Sequence, residues 1–156
     1  MLALGGDQQA REKSAEALLD QALRQDPRHV PSLLTRAELR IRLHDYAGAL
    51  ADNDTAIGIR GQTPTLSMMR CMLRERLGAA APTACYETVV RLSERDSRPC
   101  REDLNCVVAA LMADAPDAQA YRDHFLAMPR TGADQAVADG LLRGFSRERY
   151  LHSVLP

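Results

Sequence analysis

The sequence contains no tryptophan, and aromatic residues make up only 4% of its 156 positions. Sheet proteins draw heavily on aromatic and β-branched side chains, so this scarcity argues against a β-rich core. Lysine is also scarce: Lys13 is the only one, and arginine supplies the remaining positively charged side chains. This bias is typical of a GC-rich bacterial genome. Arginine also pairs readily with carboxylates in a bidentate way.

The sequence also lacks an excess of positive or negative charge, and it lacks long apolar runs. The formal net charge is only −1, so nothing in the composition suggests a nucleic-acid binder. No apolar run approaches the roughly 18 residues that a membrane-spanning helix requires, so we expect no membrane span. The opening segment Met1–Gly6 is too short for an intact signal peptide. We expect a leader or lipid anchor, if the protein has one, to precede this chain.

The motifs of common catalytic and cofactor sites are missing. There is no HExxH, GxSxG, P-loop or GxGxxG pattern, and we therefore predict neither an enzyme nor a cofactor or metal site. His29 and His44 fall in predicted turns. Asp52 and Asp54 lie two apart and would point to different sides of a helix, so they do not form a ready pair of catalytic carboxylates.

An internal repeat is the strongest feature that is present. The segment 36–43 and the segment 70–77 are identical at five of eight positions, at an offset of 34 residues. Outside these segments, the same offset relates Ala15 to Ala49 and Ala22 to Ala56. A period of 34 is the length of a helix–turn–helix unit in repeat proteins. The repeat therefore predicts successive helical hairpins.

The segment 31–60 has the residue pattern of one such hairpin. Pro31 suits the first turn of a helix, where its missing N–H costs nothing, and apolar residues follow at helical intervals. The pattern breaks at His44 and Asp45, which predicts a turn. Tyr46 then opens a second helix.

This hairpin resembles a tetratricopeptide repeat. The turn aromatic and the small residues of that family are matched by Ala37, Tyr46, Ala49 and Ala56. Asn53 and Gly61 depart from the family, which usually has an aromatic residue and a proline at these positions. The resemblance is specific over residues 14–95 and only architectural beyond them.

The resemblance implies an all-α fold, a right-handed solenoid of antiparallel helix hairpins with a C-terminal capping helix. We expect a single domain over residues 1–156. Its expected elements are an N-terminal helix over about 7–27, tetratricopeptide-like hairpins over 31–60 and 65–95, a degenerate hairpin over 101–128, and a capping helix with a tail over 131–156.

Four cysteines are present, Cys71, Cys85, Cys100 and Cys106, and three interpretations are open: buried thiols, a zinc site or two disulfides. Zinc is disfavoured because no CxxC pair occurs. The resemblance favours disulfides, because it implies that Cys71 and Cys85 occupy the small-residue positions where the paired helices cross. Cys100 and Cys106, six apart, are expected to pair with each other. Disulfides predict an oxidising compartment, the periplasm in a bacterium.

In tetratricopeptide proteins the first helices of successive hairpins line an inner groove. The resemblance therefore implies a partner-binding groove lined by Leu34, Glu38, Ile41, Arg42, Met68, Met72, Glu75 and Arg76. The alternative for Leu34, Met68 and Met72 is a place in the core between helices. Four arginines that repeat at the same offset are expected to form salt bridges between hairpins, or else a carboxylate-binding stripe: Arg36, Arg40, Arg70 and Arg74.

These features together predict a protein that binds one protein partner. The leading hypothesis is a periplasmic inhibitor or immunity-type protein that occludes a secreted bacterial toxin or effector. The alternative is an adaptor or scaffold for an envelope assembly complex, and an enzyme with an unrecognised site is the least favoured. No nucleic-acid partner is expected from the near-neutral charge.

Overall fold

The computed structural model describes residues 3–95 and 98–156. All the regular secondary structure assigned in those residues is helical, so the predicted all-α class is confirmed. A short 3-10 turn lies at Cys100–Glu102. The helices are α1 (Ala3–Gln25), α2 (Val30–Arg42), α3 (Tyr46–Arg60), α4 (Pro64–Arg76), α5 (Pro82–Glu94), α6 (Leu104–Met112), α7 (Ala118–Ala127), α8 (Gly132–Leu142) and α9 (Arg147–Val154).

The chain divides into two compact units. The first unit contains α1–α3 together with Leu155 and Pro156, and the second unit spans Thr63–Val154. The expectation of a single domain stays a prediction, because two such units can still unfold together. The stretch 131–156, expected to be one helix with a tail, contains two helices, α8 and α9.

In the first unit α1 packs against α2, and α2 packs against α3. Leu33 and Leu39 of α2 are almost fully buried. Ala49 and Ala56 of α3 expose none of their surface, and these small side chains allow neighbouring helices to approach closely. Leu155 is buried as well.

In the second unit each helix packs against its neighbour in the chain, from α4 through to α8. The 3-10 turn also packs against α6 and α7. Every residue of α6 from Cys106 to Met112 is buried, so this short helix forms the centre of the unit's core. Tyr86 and Val89 of α5 and Phe125 of α7 add to the core.

Three helices end in the same hydrogen-bonded turn. A residue in the left-handed region follows α2, α4 and α6, namely His44, Gly78 and Asp114. The next N–H then donates to the carbonyl five positions earlier, which is the Schellman pattern that satisfies unpaired helix carbonyls. These bonds are Asp45 to Arg40 (2.8 Å), Ala79 to Arg74 (2.9 Å) and Ala115 to Ala110 (3.0 Å).

Side chains cap the N-termini of α3 and α4. Asp45 accepts the N–H of Gly48 at 2.9 Å at the start of α3, directly after the predicted break. Thr63 caps α4 in the same way, ahead of Pro64 in the first turn. Among the described residues, no helix is long and apolar enough to cross a membrane.

Candidate functional site

All four cysteines are paired in two disulfides. Cys71 of α4 is bonded to Cys85 of α5, with their Cα atoms 5.6 Å apart. Cys100 of the 3-10 turn is bonded to Cys106 of α6, with a Cα separation of 5.1 Å. These are the two pairs that the sequence predicts. Both lie in the second unit, and they agree with folding in an oxidising compartment.

A partly buried ion network, centred on the buried Asp52, links the three helices of the first unit. Asp52 of α3, whose side chain is only 4% exposed, receives two bonds from the Arg36 guanidinium at 2.5 and 2.9 Å. Arg36 also donates to Asp20 of α1 at 2.7 Å. The hydrogen bonds that Arg36 donates to Asp52 raise the pKa of Arg36 above its usual value. This arginine therefore joins α1 to α3 across α2.

A second arginine completes this network. Arg40 donates to Asp52 at 2.9 Å and to Glu16 of α1 at 2.8 Å. Arg74 occupies the position of Arg40 in the next hairpin, but it is exposed and makes no ion pair within the described part of the chain. When Cys85 is aligned with Ala49, Thr88 occupies the position of Asp52. The hairpin of α4 and α5 therefore has no carboxylate at the position where, in the hairpin of α2 and α3, Asp52 binds Arg40.

The eight predicted groove residues differ widely in exposure. Leu34 and Glu75 are partly exposed, whereas Glu38, Arg42 and Arg76 are exposed. Ile41, Met68 and Met72 are buried, each less than 9% exposed. Arg42 also pairs with Glu12 at 3.2 Å. Four of the eight lie in each unit. Their role in binding a partner stays a prediction.

Glu75 takes part in a network that the sequence did not reveal. Tyr86 of α5 donates its hydroxyl hydrogen to Glu75 at 2.6 Å, and Arg147 of α9 donates to the other carboxylate oxygen at 2.9 Å. Arg147 also bonds Asp114 at 3.2 Å and the carbonyl of Met112. Glu75 is therefore already paired, and its network ties α9 to the core of the second unit.

The buried hydroxyl of Tyr86 predicts a loss of stability in alkali. Burial, and then the bond to Glu75, raises the pKa of Tyr86 above its usual value of 10.0. The unfolded chain loses this proton first, so the free energy of unfolding falls by about 1.4 kcal/mol per pH unit above about pH 10. We expect Tyr86→Phe to remove this contribution, as measured by urea unfolding across that range. Tyr121→Phe, which leaves Tyr86 intact, should keep it, and equal slopes in both variants would contradict this prediction.

The second unit contains an open cleft lined by methionines, with a volume of about 520 Å³, which is in the range of small-ligand sites. We call it the methionine cleft. Met68, Met69 and Met72 of α4 form one wall, and Met69 is the most exposed of the three. Its other lining residues are Thr63, Pro64, Thr65, Val89, Ser93, Arg98, Asp103, Asn105 and Tyr150. Two of the predicted groove residues, Met68 and Met72, therefore lie at this cleft.

Comparison with known proteins gives no family to which the chain can be assigned. No protein-family model, no curated protein and no solved structure matches it. Within the described residues, no group of three or more histidine, cysteine, aspartate or glutamate side chains could hold a metal ion.

Proposed function

We propose that this protein is a helical binding module that occludes one protein partner. The methionine cleft is the observation that carries this proposal. Methionine side chains are flexible and polarisable, so the partly exposed Met69, which lies beside the buried Met68 and Met72, adapts to the irregular apolar surface of a partner. Polar residues such as Thr63 and Asn105 surround these methionines and provide hydrogen bonds at the rim of the cleft.

We further propose that the protein acts in the periplasm of a bacterium, as an immunity-type inhibitor of a secreted toxin or effector. The two disulfides support an oxidising compartment. The Cys71–Cys85 bond joins α4, which carries the methionines, to α5, which contributes Val89 and Ser93 to the same cleft. A covalent link between these two walls keeps the site preorganised, which reduces the ordering cost of binding.

A charge placed in the methionine cleft is expected to abolish partner capture. Met69→Asp puts a carboxylate on the apolar wall, where desolvation in a complex is unfavourable. We expect wild-type protein, expressed in its native host, to co-purify with one partner in a stoichiometric amount. Met69→Asp should retain less than about a tenth of it, which corresponds to roughly 1.4 kcal/mol or more. Quantitative mass spectrometry of the purified material measures the ratio.

Leu77→Asp is the matched control. Leu77 is a large apolar residue just beyond the end of α4, is 48% exposed and does not line the cleft. Capture should survive this change. Equal loss in both variants, or no stoichiometric partner of the wild type, would refute the proposal. A captured enzyme that the protein inhibits supports the immunity role, whereas a captured envelope-assembly component supports the adaptor alternative.

A further inference from the structure

A second cleft of about 510 Å³ lies in the same unit, against the 3-10 turn and α6–α8. We call it the Phe125 cleft, and its apolar lining includes Phe125, Met128 and Val137. Val137 is 61% exposed. Arg98, Asp103 and Asn105 line both this cleft and the methionine cleft. The two clefts therefore adjoin, and together they offer more room than one compact small molecule needs, which suits a segment of polypeptide.

Arg130 lines the Phe125 cleft with most of its hydrogen-bonding capacity unused. The guanidinium carbon lies 3.6 Å from the centre of the Phe125 ring, a stacked cation–π arrangement that fixes its orientation. Its Nη1 atom makes only a long bond of 3.5 Å to the Met128 carbonyl. Its Nη2 atom is buried and has no acceptor among the described residues. An acceptor supplied by a ligand would relieve this unfavourable burial.

The acidic side chains of the same cleft already have partners. Asp103 accepts the N–H of Cys106 at 3.0 Å as the cap of α6, and Asp134 accepts the Thr131 hydroxyl at 2.8 Å. Glu102 lies 3.9 Å from the guanidinium of Arg101. Each of these carboxylates therefore has a partner already: Asp103 and Asp134 lie at helix N-termini and Glu102 lies beside Arg101, whereas Nη2 of Arg130 has no acceptor among the described residues. Arg98 is a further donor, since it is exposed and makes no ion pair within the described ranges.

We propose that these two clefts together bind an extended segment of the partner in which an acidic residue is flanked by apolar side chains. Its carboxylate pairs with Arg130 and Arg98, and its apolar side chains contact the partly exposed Met69 at one end and Met128 and Val137 at the other. This inference rests on the proposed function and specifies the chemistry of the partner. A carboxylate fits better than a phosphate, because the acidic residues lining the cleft repel a dianion more strongly.

Selection from a displayed library of random 12-residue peptides tests this inference without knowledge of the partner. We expect the enriched peptides to carry Asp or Glu beside apolar residues. Arg130→Gln and Arg98→Gln should each weaken binding of the tightest peptide by about tenfold, measured by fluorescence anisotropy. Changing the acidic residue of that peptide to its amide, Glu→Gln or Asp→Asn, should weaken binding to the same degree. Arg98 is exposed, so its variant will fold even if the Arg130 variant does not.

Arg91→Gln is the control, because Arg91 is exposed, pairs with Glu87 and lines neither cleft. Enriched peptides without acidic residues, no enrichment, or unchanged affinity in Arg98→Gln would overturn the inference. The proposed function is judged separately with the natural partner. If Met69→Asp abolishes its capture but the two Arg→Gln variants do not weaken it, the proposed function stands and the acidic-segment inference fails.

Discussion

Asp52→Asn is expected to lower the free energy of unfolding by about 3–5 kcal/mol. The carboxylate of Asp52 is buried and binds both Arg36 and Arg40. An amide in its place accepts at one oxygen only and presents its NH₂ group to a guanidinium, so Arg36 and Arg40 lose the buried carboxylate they share and keep their more exposed partners on α1. Such a change lowers stability far more than the loss of a surface ion pair, which typically contributes about 1 kcal/mol or less.

Urea unfolding of the two proteins at neutral pH measures this difference. Asp123→Asn is the matched control, because Asp123 pairs with Arg122 at the surface and its side chain is 66% exposed. We expect that control to change stability by less than about 0.5 kcal/mol. If Asp52→Asn were as mild as Asp123→Asn, the ion network would not stabilise the first unit.

Replacing Cys71 and Cys85 together by alanine is expected to lower stability by about 3 kcal/mol. This disulfide spans 14 residues, whereas Cys100–Cys106 spans 6. In the chain-entropy account the longer loop restricts the unfolded chain more, so the second pair should cost only about 2 kcal/mol. Urea unfolding of the two double variants, each compared with wild type, measures both values.

Titration of free thiols in unfolded, unreduced protein is the accompanying check on the pairing. Almost no reactive thiol is expected in the wild type, since all four cysteines are bonded. Each double variant should likewise show almost none, because the remaining pair stays intact. Four reactive thiols in protein from the native host would contradict both the disulfides and the oxidising compartment inferred from them.

The helices were predictable because their signals are local. Prolines in first turns, helical spacing of apolar residues and the break at His44 and Asp45 all act within a few positions, and α2–α5 lie where these signals place them. The Cys71–Cys85 bond followed from the 34-residue repeat and the resemblance built on it. The additional helix α9 was missed, since its short sequence from Arg147 to Val154 has little apolar content.

The polar networks were less predictable because they depend on tertiary contacts. A signal for the first network was present: Glu16 and Asp20 lie four apart on α1, and Arg36 and Arg40 lie four apart on α2. Such spacing places each pair on one helix face. No comparable signal joins Glu75 to Arg147, which are 72 residues apart. The clefts likewise arise from packing of helices distant in sequence.

Amide hydrogen exchange of the protein, free and bound to its captured partner, tests most directly whether the second unit is the binding surface. We expect binding to slow exchange in the first half of α4, around Met68 and Met69, and in the segment 98–105 that both clefts share. Slowed exchange confined to α1–α3, with those two segments unchanged, would contradict the account.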